Sequence, residues 1–383
     1  MKKVLIVAGS MNVGGIENQL MHLLRQADRH QFHFDFTTTE NHPFYQDEIE
    51  SLGGRCIHLP ATDGGRHLLR YSRALYRVIK DGGYDIVHSH ELFHSGIVLP
   101  IARLAGIKHR LVHAHTWTEG NGSDGKKTAV RRAYNFVMRR LIRANATSFI
   151  ACSSWAGAYV FGEQVLRQKN YHLVFNSVDT ARFLARYGQR ESGEYCEDGW
   201  VNVIQVGRFS SEKNQLFTAE IAREFKRRGK RIRVLCAGNM GGDYETAVKK
   251  KIEEYGLEQY MLLLGVRKDI DVLLRKSAAL LLPSYFEGMS LVLIEAQTSG
   301  LPCVTSNNYS PEVDFGLELI QRLSLEEDAA VWADALEEAA QKQRPAKESV
   351  ERAICEKGFD SKMFAERICA LYREDIAQGE VKE

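Results

Sequence analysis

The chain has 383 residues, of which 44% are hydrophobic and 26% charged, with seven prolines and a formal net charge of +2. A single core ordinarily splits beyond about 250–300 residues, so two domains are expected, and this composition excludes a disordered or fibrous chain. So balanced a charge gives no footing for a nucleic-acid partner. The seven cysteines stand singly without CxxC spacing, which argues against a disulfide framework or a zinc site and suits a reducing cytoplasm.

In chain order, the opening MKKVLIVAGS reads as a buried first strand running into a glycine loop. Short apolar or β-branched runs then alternate with helical patterns: VLIVAG (4–9), FHFDFTT (32–38), RCIHL (55–59), DIVHS (85–89), RLVHA (110–114) and SFIAC (148–152). A second series holds VNVIQVG (201–207), IRVLCAG (232–238), YMLLLG (260–265), AALLLP (278–283) and PCVT (302–305). Such alternation predicts α/β architecture with two doubly wound parallel sheets. The boundary falls near residue 176, giving domains 1–176 and 177–358. The helical patterns at 325–342 and 360–377 have no strand after them, and the segment 359–383 is expected to pack back on the first domain. No apolar stretch approaches the ~20 residues that cross a bilayer.

Ligands of open α/β sheets collect at the carboxyl ends of the strands. Gly14 and Gly15 follow the first strand and open a helix, where backbone amides can approach an anion, although GSMNVGG lacks the dinucleotide spacing. No acidic ribose partner is evident after the second strand. Arg208 and Lys213 flank a loop after the first strand of the second series, placed to bracket a diphosphate or simply to be solvated. In SYFEGMSLVLIEAQTSGLP (284–302), Glu287 lies in a loop and Glu295 in the next helix. Their carboxylates are on the order of 10 Å apart, suited to gripping two ends of one extended ligand whose pyrophosphate meets the amides of Gly288, Met289, Ser290 and Leu291.

His88, His90, His113 and His115 fall at two strand ends. Each HxH pair is read as alternating across its strand, so that at most one histidine of each pair faces the cleft and no metal is assigned. Asp269 and Asp271 begin a helix pattern, where Asp caps well, and are likewise given no metal.

On GGIE (14–17), NSVD (176–179), GRFSSEKN (207–214), LGVRKDI (264–270) and EGMSLVLIEAQTSGLP (287–302), the chain closely resembles glycosyltransferase family 4, the retaining GT-B enzymes of bacterial polysaccharide biosynthesis. The resemblance implies two Rossmann-like domains facing a cleft and transfer from a nucleotide diphosphate sugar, UDP-sugar foremost, without a metal or other cofactor. It implies donor contacts from Gly15, Arg208, Lys213, Val266, Arg267, the loop Gly288–Leu291 and Glu295, the last on ribose. Glu287 and His115 then stand at the reacting sugar, with His90 and Glu17 on the acceptor side. The serine of NSVD replaces the glycine usual in the family, a change expected to lose only a turn glycine. Rival readings are a non-catalytic nucleotide-sugar binding subunit and a sugar-nucleotide epimerase on the same architecture.

Residues 126–143 carry seven basic side chains and no acidic one, with Val130, Tyr134, Val137, Leu141 and Ile142 at helical spacing. The apolar stripe is expected in the core and the basic face on an anionic membrane surface, presenting the site to a glycan or polyprenyl-diphosphate-linked acceptor.

Overall fold

The computed structural model describes residues 1–61, 65–116, 129–189, 192–196 and 199–374. Among the described residues the chain divides into two compact units, one of residues up to 177 together with 360–374, the other of 178–359.

In the first unit, strands β1 (Lys2–Val7), β2 (Phe32–Thr38), β3 (Arg55–His58), β4 (Ile86–Ser89), β5 (His109–Ala114), β6 (Ser148–Ala151) and β7 (Tyr171–Leu173) form one sheet in the order β3-β2-β1-β4-β5-β6-β7. Every pairing in it is parallel. Around it lie α1 (Gly15–Gln26), α2 (Gln46–Ser51), α3 (Gly65–Gly82), α4 (Ser95–Leu104), α5 (Ala129–Asn145) and α6 (Ser154–Phe161). The pleat sends alternate residues of β1 into two cores. Val4 and Ile6 join a cluster with Leu20 and Phe36, while Leu5 and Val7 join one with Leu75 and Val98. A strand buried on both faces in this way must be apolar throughout, which is why these strands read as unbroken hydrophobic runs.

The second unit carries α7 (Thr180–Leu184), β8 (Val201–Val206), α8 (Gln215–Arg227), β9 (Ile232–Ala237), α9 (Gly242–Tyr255), β10 (Met261–Gly265), α10 (Ile270–Arg275), β11 (Ala279–Leu282), α11 (Leu291–Thr298), β12 (Cys303–Ser306), β13 (Ile320–Leu323), α12 (Ala329–Ala339) and α13 (Lys347–Lys357). Its parallel sheet has the order β10-β9-β8-β11-β12-β13. β13 was not expected from the sequence. It is an edge strand, IQRL, with no fully buried residue, so it lacks the apolar run that marks the others. The last strand of the first sheet, β7, ends at Leu173, three residues before the boundary expected near 176.

Past Phe359 the chain returns to the first unit as α14 (Ser361–Arg373). Asp360 caps it, its carboxylate accepting from the amides of Lys362 and Met363 at 2.8 and 3.2 Å. Phe364, Ile368 and Tyr372 enter the same core as α1.

α5 departs from its expected orientation. Asn135, Met138 and Ile142 are buried, whereas Val130, Tyr134, Phe136 and Val137 are exposed, so much of the apolar stripe faces out. Basic residues set the rotation. Arg139 Nε donates to Val160 O at 3.1 Å and Arg143 Nε to Phe161 O at 2.6 Å, satisfying the carbonyls at the end of α6. Gly162 follows there at φ +86°, a positive-φ conformation that favours glycine. Residues 126–128 of the basic segment lie outside the described residues.

The ends of β8 and β9 touch at Gly238, where an added Cβ would lie 1.9 Å from Gly207 O. Backbone cannot yield as a side-chain tip does. Gly238→Ala should therefore destabilise the protein by about 1–3 kcal/mol, read as a lowered denaturation midpoint; an unchanged midpoint would mean that these loops separate freely.

Candidate active site

In the second unit the site residues follow β8 and β11, the two strands at which the order of connection reverses. Arg208 is exposed and carries no ion pair among the described residues. Its carbonyl accepts from Gln215 Nε2 at 2.9 Å, which pins the loop. Lys213 ends a short 3-10 turn, and its carbonyl accepts from buried Gln205 Nε2 at 2.7 Å. Asn214 then takes a left-handed conformation, φ 58° and ψ 42°, to start α8. Arg208 thus projects into solvent from a loop held by glutamines.

Lys213 and Glu287 form one unit. Lys213 Nζ donates to Glu287 Oε1 at 2.5 Å, and Ser284 Oγ donates to the same oxygen at 2.9 Å. The Glu287 amide donates to Asn308 O at 2.9 Å, fixing the loop against the segment after β12. The carboxylate is buried and the lysine side chain partly so, an ion pair partly shielded from water. The sequence reading gave these two residues separate tasks, and 74 positions of separation hid their contact.

Beyond them, α11 begins at Leu291 with Ser290 as its cap residue, extended at ψ 109°. Met289 and Ser290 are buried, Gly288 and Leu291 partly so. Ser290 Oγ makes no cap bond and has no hydrogen-bond partner among the described residues. Open first-turn amides beside a buried, unsatisfied hydroxyl make a receptor for an anion.

Glu295 is the fifth residue of α11. Desolvation pushes its carboxyl up to about 7, opposed by the charge of Arg182 and helped by that of Asp271. Arg182 Nε donates to Asp271 Oδ1 at 2.7 Å, and Asp271 also accepts from Arg275 at 3.2 Å. Arg182 is a neighbour of this site that sequence spacing did not reveal. Asp269 sits at the cap of α10, but its side chain makes no cap bond. Instead it receives Arg267 through two bonds of 2.8 and 2.7 Å. Arg267 is therefore already paired, and Val266 beside it is exposed.

In the first unit, Gly15 opens α1 behind an extended Gly14. A Cβ on Gly14 would fall 2.2 Å from Glu17 Oε2, so the Glu17 carboxylate lies over this helix start. The β1–α1 loop is held by Glu40, which follows β2. Its carboxylate accepts from Ser10 Oγ at 3.1 Å and Asn12 Nδ2 at 2.6 Å. The acidic residue after the second strand is thus used on the loop. Gln19, a polar residue on the apolar face of α1, exchanges bonds with Ser177: its Nε2 donates to Ser177 O at 2.8 Å and its Oε1 accepts the Ser177 amide at 2.7 Å. Ser177 Oγ donates to the same oxygen at 3.0 Å. The serine of NSVD is therefore buried and bonded, more than a tolerated loss of glycine.

The histidines correct the alternation argument. Residues i and i+2 of a strand share a face, so both members of each HxH pair lie together: ring centroids are 4.1 Å apart for His88 and His90, and 4.0 Å for His113 and His115. His90 Nδ1 meets His115 Nε2 at 2.8 Å. Burial holds all four rings neutral at physiological pH, His115 lowered to about 4 against a raising bond from Asn176, and His88 to about 3. Next along, burial pushes the Glu91 carboxyl up to about 7. Glu91, Phe93, His94, Arg131 and Tyr134 line a cavity of about 480 Å³.

Comparison with known proteins gives the class first. The fold is that of Anabaena HepE, solved with UDP-glucose bound, at TM-score 0.76 and 16% identity over 97% of this chain and 99% of that one. It is the GT-B architecture of two Rossmann-like domains. The model of the glycosyl transferases group 1 matches residues 198–368, and that of the glycosyl transferase 4-like domain matches 14–177. The putative glycosyltransferase EpsF of Bacillus subtilis is 35% identical over 97% of this chain and 96% of its own length. The capsular polysaccharide biosynthesis glycosyltransferase CapH of Staphylococcus aureus is 26% identical over 84% of this chain and 88% of its own. The chain belongs to the glycosyl transferases group 1 family, and it is a glycosyltransferase.

The Lys213–Glu287 pair should show energetic coupling. In a double-mutant cycle of Lys213→Ala and Glu287→Ala, denaturant unfolding should give about 0.5–3 kcal/mol of interaction energy; strictly additive losses would leave the pair without energetic weight.

Proposed function

We propose that this enzyme transfers a hexosyl or N-acetylhexosaminyl group, with retention of anomeric configuration and without a metal, from a UDP-sugar to a glycan or polyprenyl-diphosphate-linked acceptor. The process it serves is cell-surface polysaccharide assembly at the inner face of the plasma membrane. The observation that carries the donor reading is the α11 start, where first-turn amides without a side-chain cap stand beside the buried, unsatisfied Ser290 hydroxyl, one turn before Glu295 on the same helix. UDP is favoured by the ligand of HepE, and surface polysaccharide by the name of CapH.

In this reading the acceptor hydroxyl oxygen attacks the anomeric carbon on the face the leaving group departs. The bond from that carbon to the β-phosphate oxygen breaks, its electron pair leaving with the phosphate, which takes the acceptor's proton. Arg208, Lys213 and the amides of α11 stabilise the growing charge in fixed positions. Glu287, tied to Lys213 and Ser284, orients the sugar. His115, neutral, contributes a hydrogen bond. Arg267 and Asp269 neutralise each other, which suits a site that binds no Mg²⁺ or Mn²⁺.

Glu295 serves ribose as a carboxylate accepting two hydroxyl bonds. Its free carboxyl titrates near 7, so donor binding must expel a proton on the acid side. Donor affinity should rise with pH, up to about tenfold per unit below 7, and level off above it. Glu295→Gln should flatten this profile and weaken binding, whereas Glu287→Ala should chiefly lower turnover. Calorimetry with UDP-sugars from pH 6 to 8, with turnover assayed in EDTA, tests both. A pH-independent wild type would remove Glu295 from ribose, and turnover restored only by Mg²⁺ or Mn²⁺ would reassign Asp269 and Asp271 to a metal.

The membrane part rests on α5, whose exposed Val130, Phe136 and Val137 adjoin exposed Arg132 and Arg140, with Arg140 over the Phe136 ring at 4.9 Å. No helix among the described residues is long and apolar enough to cross a membrane, so the contact is peripheral. Basic groups near an anionic leaflet contribute about 1 kcal/mol each. Arg132→Gln with Arg140→Gln should cut cosedimentation with phosphatidylserine vesicles about tenfold or more at low salt, leaving donor binding intact. Arg139 is left in place because it caps α6. Unchanged cosedimentation would confine α5 to solvent.

A further inference from the structure

The histidine cluster holds more ring nitrogen than the transfer reaction uses. His88, His90 and His113 are each at most 7% exposed, and each can turn one nitrogen into a common space in which the three lie within 4.8 Å of one another. His88 Nε2, His90 Nε2 and both nitrogens of His113 have no hydrogen-bond partner among the described residues. Burying such groups unmade costs about 1–3 kcal/mol apiece.

The outward nitrogens are engaged. His88 Nδ1 meets Tyr372 Oη at 2.7 Å, and His90 Nδ1 meets His115 Nε2 at 2.8 Å. With Nδ1–H donating in each case, both Nε2 lone pairs point inward. One ring nitrogen bonded to an outer partner and the other left free is the arrangement of metal-ligating histidine. The strands impose it, because the register that pairs His88 with Leu111 and Ser89 with Val112 continues to set His90 against His113.

We propose that His88, His90 and His113 form a buried transition-metal site, taking Zn²⁺ or a similar ion through His88 Nε2, His90 Nε2 and one nitrogen of His113, with water as the fourth ligand. Three imidazoles and a water are a familiar Zn²⁺ ligand set, and bonds of about 2.0–2.1 Å would draw the nitrogens to about 3.4 Å apart, within reach of small ring rotations. The ion ties the ends of β4 and β5 together and holds His90 against His115. Imidazole nitrogen suits Zn²⁺ and Co²⁺, and Mg²⁺ prefers oxygen, so this site is separate from any metal need at the diphosphate.

The test is titration of the chelator-stripped full chain with Co²⁺. One equivalent should bind with the intense visible absorption of four-coordinate cobalt and be displaced by Zn²⁺. His113→Gln should abolish the band, and Tyr372→Phe should weaken affinity about 10–100-fold, the usual effect of losing an outer hydrogen-bond partner, with circular dichroism checking the fold of each. Absence of the band in the wild type, or its undiminished presence in folded His113→Gln, would overturn the site. Should His113→Gln not fold, the wild-type stoichiometry and the Tyr372→Phe affinity decide, and unchanged affinity in Tyr372→Phe would likewise count against it.

Discussion

Burial of a parallel sheet on both faces confines polar chemistry to the strand ends. Within β1, β4 and β5, or β8 and β11, almost every side chain is packed away, so a group that must meet a ligand has to stand where the strand stops. In both sheets the connection reverses beside the central strand, β1 against β4 and β8 against β11, and the loops leaving that point in opposite directions open a gap. Gly15, His90, Arg208 and Glu287 all follow strands that flank such a point. In each unit the placement of these residues is a consequence of how its sheet is wound, and their identity decides what they can do.

This constraint also sets what could be read before any coordinates. Buried parallel strands are continuous apolar runs and announce themselves. β13 did not, because an edge strand has one side without a neighbour and tolerates Gln321 and Arg322. The position of Arg208 and the start of α11 were legible for the same local reason, a strand followed by glycine and a polar turn. The pairing of Lys213 with Glu287 was not, since it spans two βα units, nor was the grip of Gln19 on Ser177 across 158 positions. The histidine pairs were legible in principle. A period of two puts i and i+2 on one face, and the expectation of alternation failed against that geometry. On α5, heptad-like spacing of apolar residues pointed to the core, but bonds from Arg139 and Arg143 to the end of α6 rotate the helix so that several of them face outward.

The two glutamates of the second unit show how one scaffold gives equal carboxylates different properties. Glu287 is buried against an ammonium and a hydroxyl, so its charge is compensated before any ligand arrives. Glu295 is desolvated with a single arginine nearby, and that arginine is shared with Asp271. The first is therefore fixed in place by its partners, and desolvation pushes the second up to about 7. A group that must orient a reacting sugar benefits from the former state, because a preformed ion pair needs no reorganisation as charge develops. A group that must accept hydroxyl hydrogens benefits from the latter only once it has lost its proton, which couples recognition to pH.

Lys213 then has to serve two partners. Held at 2.5 Å by Glu287, it cannot offer a whole positive charge to the proposed diphosphate, and on that reading the guanidinium of Arg208 with the α11 amides supplies the remainder. In the proposed transfer, the ammonium would be drawn from a localised carboxylate toward the growing anion as the leaving phosphate gains negative charge. The Glu287 carboxylate, partly released, is left with Ser284 Oγ as its fixed partner and is free to stabilise positive character at the anomeric carbon. On the proposed mechanism, the ion pair that positions both residues is thus also the element whose loosening would distribute charge along the reaction, with the opposing demands of carbon and phosphate answered by its two halves.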